Sequence, residues 1–220
     1  MTSRGGSAVA ALLLTATALA FAQGWIDYEN REDRFSVNFP GQPRVESIDW
    51  PGEYGPTFPG RVYTVDAGGA RYSVSVIDYT NTRAIHAKAQ KNQADELPIY
   101  ADLDPVGSIQ YAATKLYRHR PGATVTYDAY HYIDLVSGQQ LQLTNADGSR
   151  TFVGIYLHEG RLYILDATVP PKAPQPGLFQ QSLSFLDAKG ERVRHNEIYY
   201  YRPPPRPGRR DGGAGPGGRP

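Results

Sequence analysis

Between residues 130 and 169, apolar and polar positions alternate in four runs separated by three turn signals, which predicts a four-stranded antiparallel meander. Glu159-Gly160 suits a two-residue hairpin loop and sets Leu157 opposite Leu162, Ile155 opposite Ile164, Tyr156 opposite Tyr163, Gly154 opposite Leu165 and Phe152 opposite Ala167. Asp147-Gly148 is read as a type I′ turn, placing Leu143 opposite Phe152 and Leu141 opposite Gly154. Ser137-Gly138-Gln139 is read as a three-residue loop, placing Leu135 opposite Leu141 and Ile133 opposite Leu143. These registers gather Ile133, Leu143, Phe152, Ala167, Leu135, Leu141 and Leu165 on one core face, and Asp134, Gln142, Val153 and Asp166 on a mixed face. Gly154 then leaves a hole in the core face, to be filled by a bulky side chain such as Phe179 or Leu183.

The chain before the meander reads as strands at 25–28, 35–39 and 44–50, with a Gly/Pro-rich connection at 51–60. A hairpin across Gly68-Gly69 pairs Val65 with Tyr72, Tyr63 with Val74 and Asp66 with Arg71. An Ala/Lys/Gln-rich stretch at 84–93 predicts a helix. A second helix is expected to start with Asp104 as cap and Pro105 in its first turn. Its apolar stripe is Val106, Ile109, Ala113, Leu116 and Tyr117, and Pro121-Gly122 ends it. A Pro-rich crossover at 170–177 precedes a short helix over 178–185. The fold class is α+β: an antiparallel sheet, made of the meander and the N-terminal hairpins, packed by two to three helices.

Residues 1–22 stand apart from that pattern. Arg4, the apolar run 8–20 and Ala20-Phe21-Ala22 make the three parts of a secretory leader, with cleavage near Ala22 and a mature start at Gln23. The expected location is periplasmic or extracellular, with no transmembrane segment in the mature chain. One α+β domain spans 23–201, with its core at about 25–186 and an extension at 187–201; residues 202–220 form a Pro/Gly/Arg-rich tail expected to be disordered. The absence of Cys removes disulfides, thiolate nucleophiles and Cys-ligated zinc. Arg202, Arg206, Arg209, Arg210 and Arg219 against Asp211 give the tail a charge of +4, and the folded part about −4, too little for a nucleic-acid footprint.

No nucleophile elbow, phosphate-binding loop, dinucleotide fingerprint or zinc-protease helix is present, so no catalytic, cofactor-binding or metal residue is assigned. His131 takes the apolar-face parity, in register with Asn145, and reads as a satisfied boundary histidine; a catalytic base or metal ligand is the alternative. His158 precedes a turn and is expected in solvent. The segment 145–148 is read as a hairpin turn in preference to a calcium loop. Asp102 and Asp104 could bind a cation, though the cap explains Asp104 better. Asp134 and Asp166 fall in one row, about 14 Å apart, too far to act on one glycosidic bond. Tyr130, His131, Tyr132, Tyr199, Tyr200 and Tyr201 form a candidate contact surface, because tyrosine gives apolar area with a polar tip. Arg202, Arg206, Arg209 and Arg210 are candidates for contact with an anionic surface.

The stretch Phe35-Ser36-Val37-Asn38-Phe39-Pro40-Gly41-Gln42-Pro43 follows a Trp/Tyr strand. Late in the chain Arg161-Leu162-Tyr163-Ile164-Leu165 precedes Phe179-Gln180-Gln181-Ser182-Leu183-Ser184-Phe185. Together these motifs resemble small secreted bacterial proteins with a PsbP-like α/β/α sandwich, over 25–186; the chain beyond Asp187 departs from them. The resemblance implies a binding or accessory module and offers no catalytic residue to carry over. The resulting expectation is an exported non-enzymatic module working through a protein partner or an envelope component. An enzyme built around His131 and a binder of a small hydrophobic ligand are its rivals.

Overall fold

A computed structural model describes residues 24–90 and 98–205; the expected leader and the tail from Arg206 onward lie outside the described residues. Among the described residues, ten strands and three helices follow in order: β1 (Ile26–Asn30), β2 (Phe35–Phe39), β3 (Arg44–Pro51), β4 (Thr57–Ala67), β5 (Ala70–Asp78), α1 (Thr82–Gln90), α2 (Tyr100–Ala113, continued by a π-helical turn Thr114–Arg118), β6 (Thr124–Ile133), β7 (Val136–Thr144), β8 (Arg150–His158), β9 (Arg161–Val169), α3 (Gly177–Gln180) and β10 (Ser184–Phe185). The architecture is α+β and antiparallel. A seven-stranded sheet runs β3-β4-β5-β9-β8-β7-β6, and a three-stranded sheet runs β1-β2-β10.

The large sheet is buried on both faces. One face packs Tyr63, Val74, Tyr156, Tyr163, Leu165 and Ala167 against Phe35, Val37 and Phe39 of the small sheet and against Phe179, Leu183 and Phe185. The other face packs Phe58, Ile77, Leu141, Leu143, Val153, Ile155, Leu157 and Ile164 beneath Ala112, Ala113 and Tyr117 of the helical layer. Strand β8 is therefore buried at every position from Thr151 to His158, which explains an apolar run without alternation.

Two hairpins pair as expected: the β8–β9 register across Glu159-Gly160 and the β4–β5 register across Gly68-Gly69. The other two turns differ. The β7–β8 connection is a five-residue loop, 145–149, in which the Asp147 carboxylate takes the Ser149 N–H at 2.9 Å and its hydroxyl at 2.6 Å. Leu143 consequently faces Thr151, and Leu141 faces Val153. That slip of one residue turns Leu141 and Leu143 to the helix side. With both faces apolar, hydrophobicity alone could not choose the register.

The β6–β7 turn is Asp134-Leu135, with φ of +46° and +62°, and it contains no glycine. Gly138 instead lies inside β7, because a Cβ there would collide with the Ile155 carbonyl oxygen and the Tyr156 ring. Asp134 thus sits in a turn, and no shared row with Asp166 exists. Gly154 is flanked by Leu165 and Gln140, and the ring over it belongs to Tyr156 of its own strand, with ring atoms 2.9–3.5 Å from a built Cβ. An aromatic fills the hole, but neither Phe179 nor Leu183 supplies it.

Helix α2 starts at Tyr100, not at Asp104. Pro105 inside the helix cannot donate to the Ala101 carbonyl four residues back, and the Thr82 hydroxyl donates to it at 3.0 Å. Asp104 is buried and caps nothing. It meets His86 Nε2 at 2.7 Å and accepts the Glu53 N–H at 2.9 Å, joining both helices to the β3–β4 connection. Burial raises its carboxyl above the ordinary range, against the pull of His86. Asp102 pairs with Arg83 at 2.9 Å, so neither carboxylate is left for a cation. Val106 stands 52% exposed, outside the buried stripe. The expected helix over 178–185 is one short turn, α3, followed by β10, where Ser184 and Phe185 pair with Ser36 and Phe35.

Candidate functional site

The extension beyond Asp187 folds back as a strap. Arg192 pairs with Asp27 at 2.8 Å, and Arg194 pairs with Asp134 at 3.0 Å. Tyr199 makes a parallel bridge to Val136: its N–H donates to the Leu135 carbonyl at 2.9 Å, and its carbonyl accepts the Ser137 N–H at 3.1 Å. These bonds help hold Leu135 in a left-handed conformation that costs a branched side chain free energy. The strap passes between the start of β7 and the β8–β9 turn, where the Glu159 N–H donates to the Tyr199 hydroxyl at 3.0 Å. Tyr199 packs on the small-sheet side and Tyr201 on the helix side.

On the helix side, a groove of about 300 Å³ opens where α2 stops short of the sheet edge. Ser137, Gly138 and Leu157 form its floor. Val106, Ile109 and Gln110 form one wall, and Tyr130, Tyr200 and Tyr201 form the others. Tyr130 is 78% exposed, and Tyr132 and Tyr200 are also exposed. The neighbouring Tyr132 hydroxyl raises the Tyr200 pKa. The rim is positioned by a polar chain. Arg118 donates to Asp128 at 2.7 and 3.2 Å and to Gln110 at 2.8 Å, while Gln139 accepts from Gln110 and donates to Asp128. The Arg118 guanidinium holds the Asp128 carboxyl below its usual range.

His131 lies on the opposite face, across from Gly138 and not from Asn145. Its Nδ1 meets the buried Tyr156 hydroxyl at 2.8 Å, and burial lowers its pKa. The sheet therefore separates His131 from the groove. Of the sequence candidates, Tyr130, Tyr200 and Tyr201 come together at the groove, Tyr132 stands beside Tyr200, Tyr199 anchors the strap, and His131 joins neither. Arg202 is exposed beyond Tyr201, and Arg83 donates to the Pro204 and Pro205 carbonyls. Arg206, Arg209 and Arg210 lie outside the described residues.

His158 is 1% exposed, contrary to its expected place in solvent. Its ring stacks on Phe185 at 4.5 Å, and its Nε2 lies 3.0 Å from Nε2 of His195 on the strap. The groove residues Gln110 and Ser137 and the His158–His195 contact carry no sequence signal of their own, and Val106 and Leu157 read only as core positions. Each depends on where the strap docks.

The chain is similar to the solution structure of cyanobacterial PsbP (CyanoP) from Synechocystis sp. PCC 6803, at 12% identity, over 79% of this chain and 98% of that chain, with a TM-score of 0.43. That is the group the sequence motifs resemble. No protein-family model and no curated protein matches the chain. Among the described residues no helix is long and apolar enough to cross a membrane. The functional reading rests on the geometry of the groove and of the sheet edge beside it.

Proposed function

We propose that this chain is an exported, non-enzymatic binding module that takes an extended segment of a protein partner along β6, with the tyrosine groove receiving an apolar side chain of that segment. The observation that carries this reading is the contrast between the two edges of the large sheet. Edge strand β3 bears Arg44, Glu46, Asp49 and Pro51, devices that discourage a further strand. Edge strand β6 bears Tyr127, Tyr130 and Tyr132, all exposed, and its one carboxylate, Asp128, is already neutralised by Arg118. Strand addition supplies main-chain hydrogen bonds, and adjoining pockets supply side-chain selectivity. Exposed tyrosines depleted of neighbouring charge suit the centre of an interface.

A photoreactive residue at Tyr130, with the same label at Val45 on β3 as control, tests the surface in the native host. The expected result is one protein crosslinked from β6 and none from β3. Purified, that protein should bind the Tyr130→Ala/Tyr132→Ala variant about thirtyfold or more weakly, the loss of roughly 2 kcal/mol typical of a buried aromatic anchor. A crosslink to a second copy would make β6 a self-association edge. Undiminished binding by the variant would refute the tyrosine surface. Export is tested separately: the mature protein should begin at Gln23 by mass spectrometry, and an intact Met1 would exclude cleavage.

A further inference from the structure

We infer that the His158–His195 contact is an acid-released latch, which holds the strap and so governs whether the groove carries its tyrosine walls. Only this consequence for binding rests on the reading above; the latch itself stands on its own geometry. Two Nε2 atoms 3.0 Å apart share one hydrogen, one ring donating and the other accepting. The pair tolerates one added proton and not two, since a second leaves N–H facing N–H between two cations.

Every element packed around His158 bears on this. Phe185 covers one face of its ring, and Tyr199 lies 4.8 Å from both imidazoles. The nearby cations are Arg161 at the start of β9 and Arg34 ahead of β2. Of the carboxylates on the adjoining turns, Glu159 pairs with Arg34 at 3.5 Å and Asp134 with Arg194 at 3.0 Å, and Glu197 follows His195 on the strap. Among the described residues no carboxylate hydrogen-bonds either imidazole. Burial first, then the charges of His195, Arg161 and Arg34, push the His158 pKa down to about 4. A histidine whose pKa is lowered in the latched state takes up protons more readily when released. The latch is therefore fully formed above the ordinary value of about 6.5 and weakens as pH falls toward about 4.

Past His195 the described strap is held to the sheet by the two Tyr199 backbone bonds and the Glu159 N–H, and beyond Tyr201 it is held to α1 by Arg83, which donates to the Pro204 and Pro205 carbonyls. Its next residues, Tyr200 and Tyr201, are groove walls. Loss of the latch would loosen the span between it and the Arg83 anchor, and with it the hold on Tyr200, the Leu135 carbonyl and the Ser137 N–H.

Hydrogen exchange of the full mature chain reads this directly, at the Ser137 and Tyr199 amides and, for comparison, at Ile155 and Leu165. After correction for intrinsic exchange, protection of Ser137 and Tyr199 should fall about tenfold or more between pH 7 and pH 4, while Ile155 and Leu165 keep theirs. His195→Gln, on the half-buried partner, retains a donor and an acceptor but cannot charge, so the loss should shrink to what the burial of His158 alone drives. Full protection at pH 4, a loss shared by the whole sheet, or the same loss in His195→Gln would overturn the latch. The readout needs no partner. A latch that opens while partner affinity ignores pH supports the latch and counts against the groove as the binding site.

Discussion

Gly138→Val should destabilise the protein by about 3 kcal/mol or more, read as a lowered urea midpoint at unchanged slope. The floor of the groove and the ring of Tyr156 meet at this position. A Cβ on Gly138 would sit far inside contact distance of both the Ile155 carbonyl oxygen and the Tyr156 ring. The carbonyl belongs to the neighbouring strand and cannot move without breaking the β7–β8 ladder. Gly154 is a milder case, since the atoms nearest a Cβ there belong to the Tyr156 side chain, at 2.9 to 3.5 Å, and a ring can tilt. Gly154→Ala should therefore cost about 1 kcal/mol. In a Tyr156→Leu background it should become neutral or favourable, because the ring is gone and glycine within a strand itself costs roughly 0.5–1 kcal/mol. A Gly138→Val protein with a wild-type midpoint would show that the ring and the carbonyl do not crowd that backbone.

The same ring shows where the sequence was legible and where it was not. Gly160, Gly68 and Gly69 are glycines in turns, and both hairpins follow from them. Gly138 is a glycine with a different cause, a close approach from the next strand, and one letter cannot distinguish the two. The Asp134-Leu135 turn is invisible for the converse reason. Its left-handed residues are supported by bonds from Tyr199, more than sixty residues later in the chain. Pro105 misled in the same way. A proline near the start of an apolar stripe reads as a helix start, but here the Thr82 hydroxyl replaces the lost donor and the helix begins five residues earlier. Local chemistry predicted the elements well, and long-range partners decided the exceptions.

The candidate site divides along the same line. The amphipathic character of tyrosine was enough to single out Tyr130 and Tyr132, and the run of three tyrosines singled out Tyr200 and Tyr201. The error on His131 came from the β6–β7 turn, because a changed turn alters every partner across the ladder. The helical wall of the groove could not be read at all. Val106 looked like core because it falls on an apolar stripe, yet this turn of α2 faces the groove and leaves the side chain exposed.

The second large effect is expected at Asp33, where the small sheet is fastened to the large one. Asp33 lies in the β1–β2 connection and is 5% exposed. Its carboxylate accepts two bonds from Arg61, at 2.7 and 2.5 Å, and one from the Tyr63 hydroxyl at 2.5 Å. Its backbone carbonyl accepts the Tyr163 hydroxyl at 2.9 Å. One residue thereby ties β1 and β2 to β4 and β9. Burial and the Asp33 carboxylate together raise the Tyr63 hydroxyl far above the ordinary tyrosine value, so Tyr63 remains a neutral donor. Asp33→Ala would strand that buried hydroxyl and remove the bidentate partner of Arg61. Breaking a buried pair by deleting one member costs about 3–5 kcal/mol. Arg61 is 30% exposed and keeps Glu32 at 2.6 Å, so part of its charge can turn to water, and the lower end, about 3 kcal/mol, is expected. Asp33→Asn retains the shape and an acceptor for Tyr63 and should lose only about 1–2 kcal/mol with the charge. Urea unfolding at pH 7 in low and high salt separates the possibilities. The Ala loss should exceed the Asn loss and change little with salt, because a pair this buried is weakly screened. Equal losses below about 1 kcal/mol, fading as salt rises, would mean that solvent already screens the bridge and that the aromatic packing of Phe35, Tyr63 and Tyr163 alone holds the two sheets together.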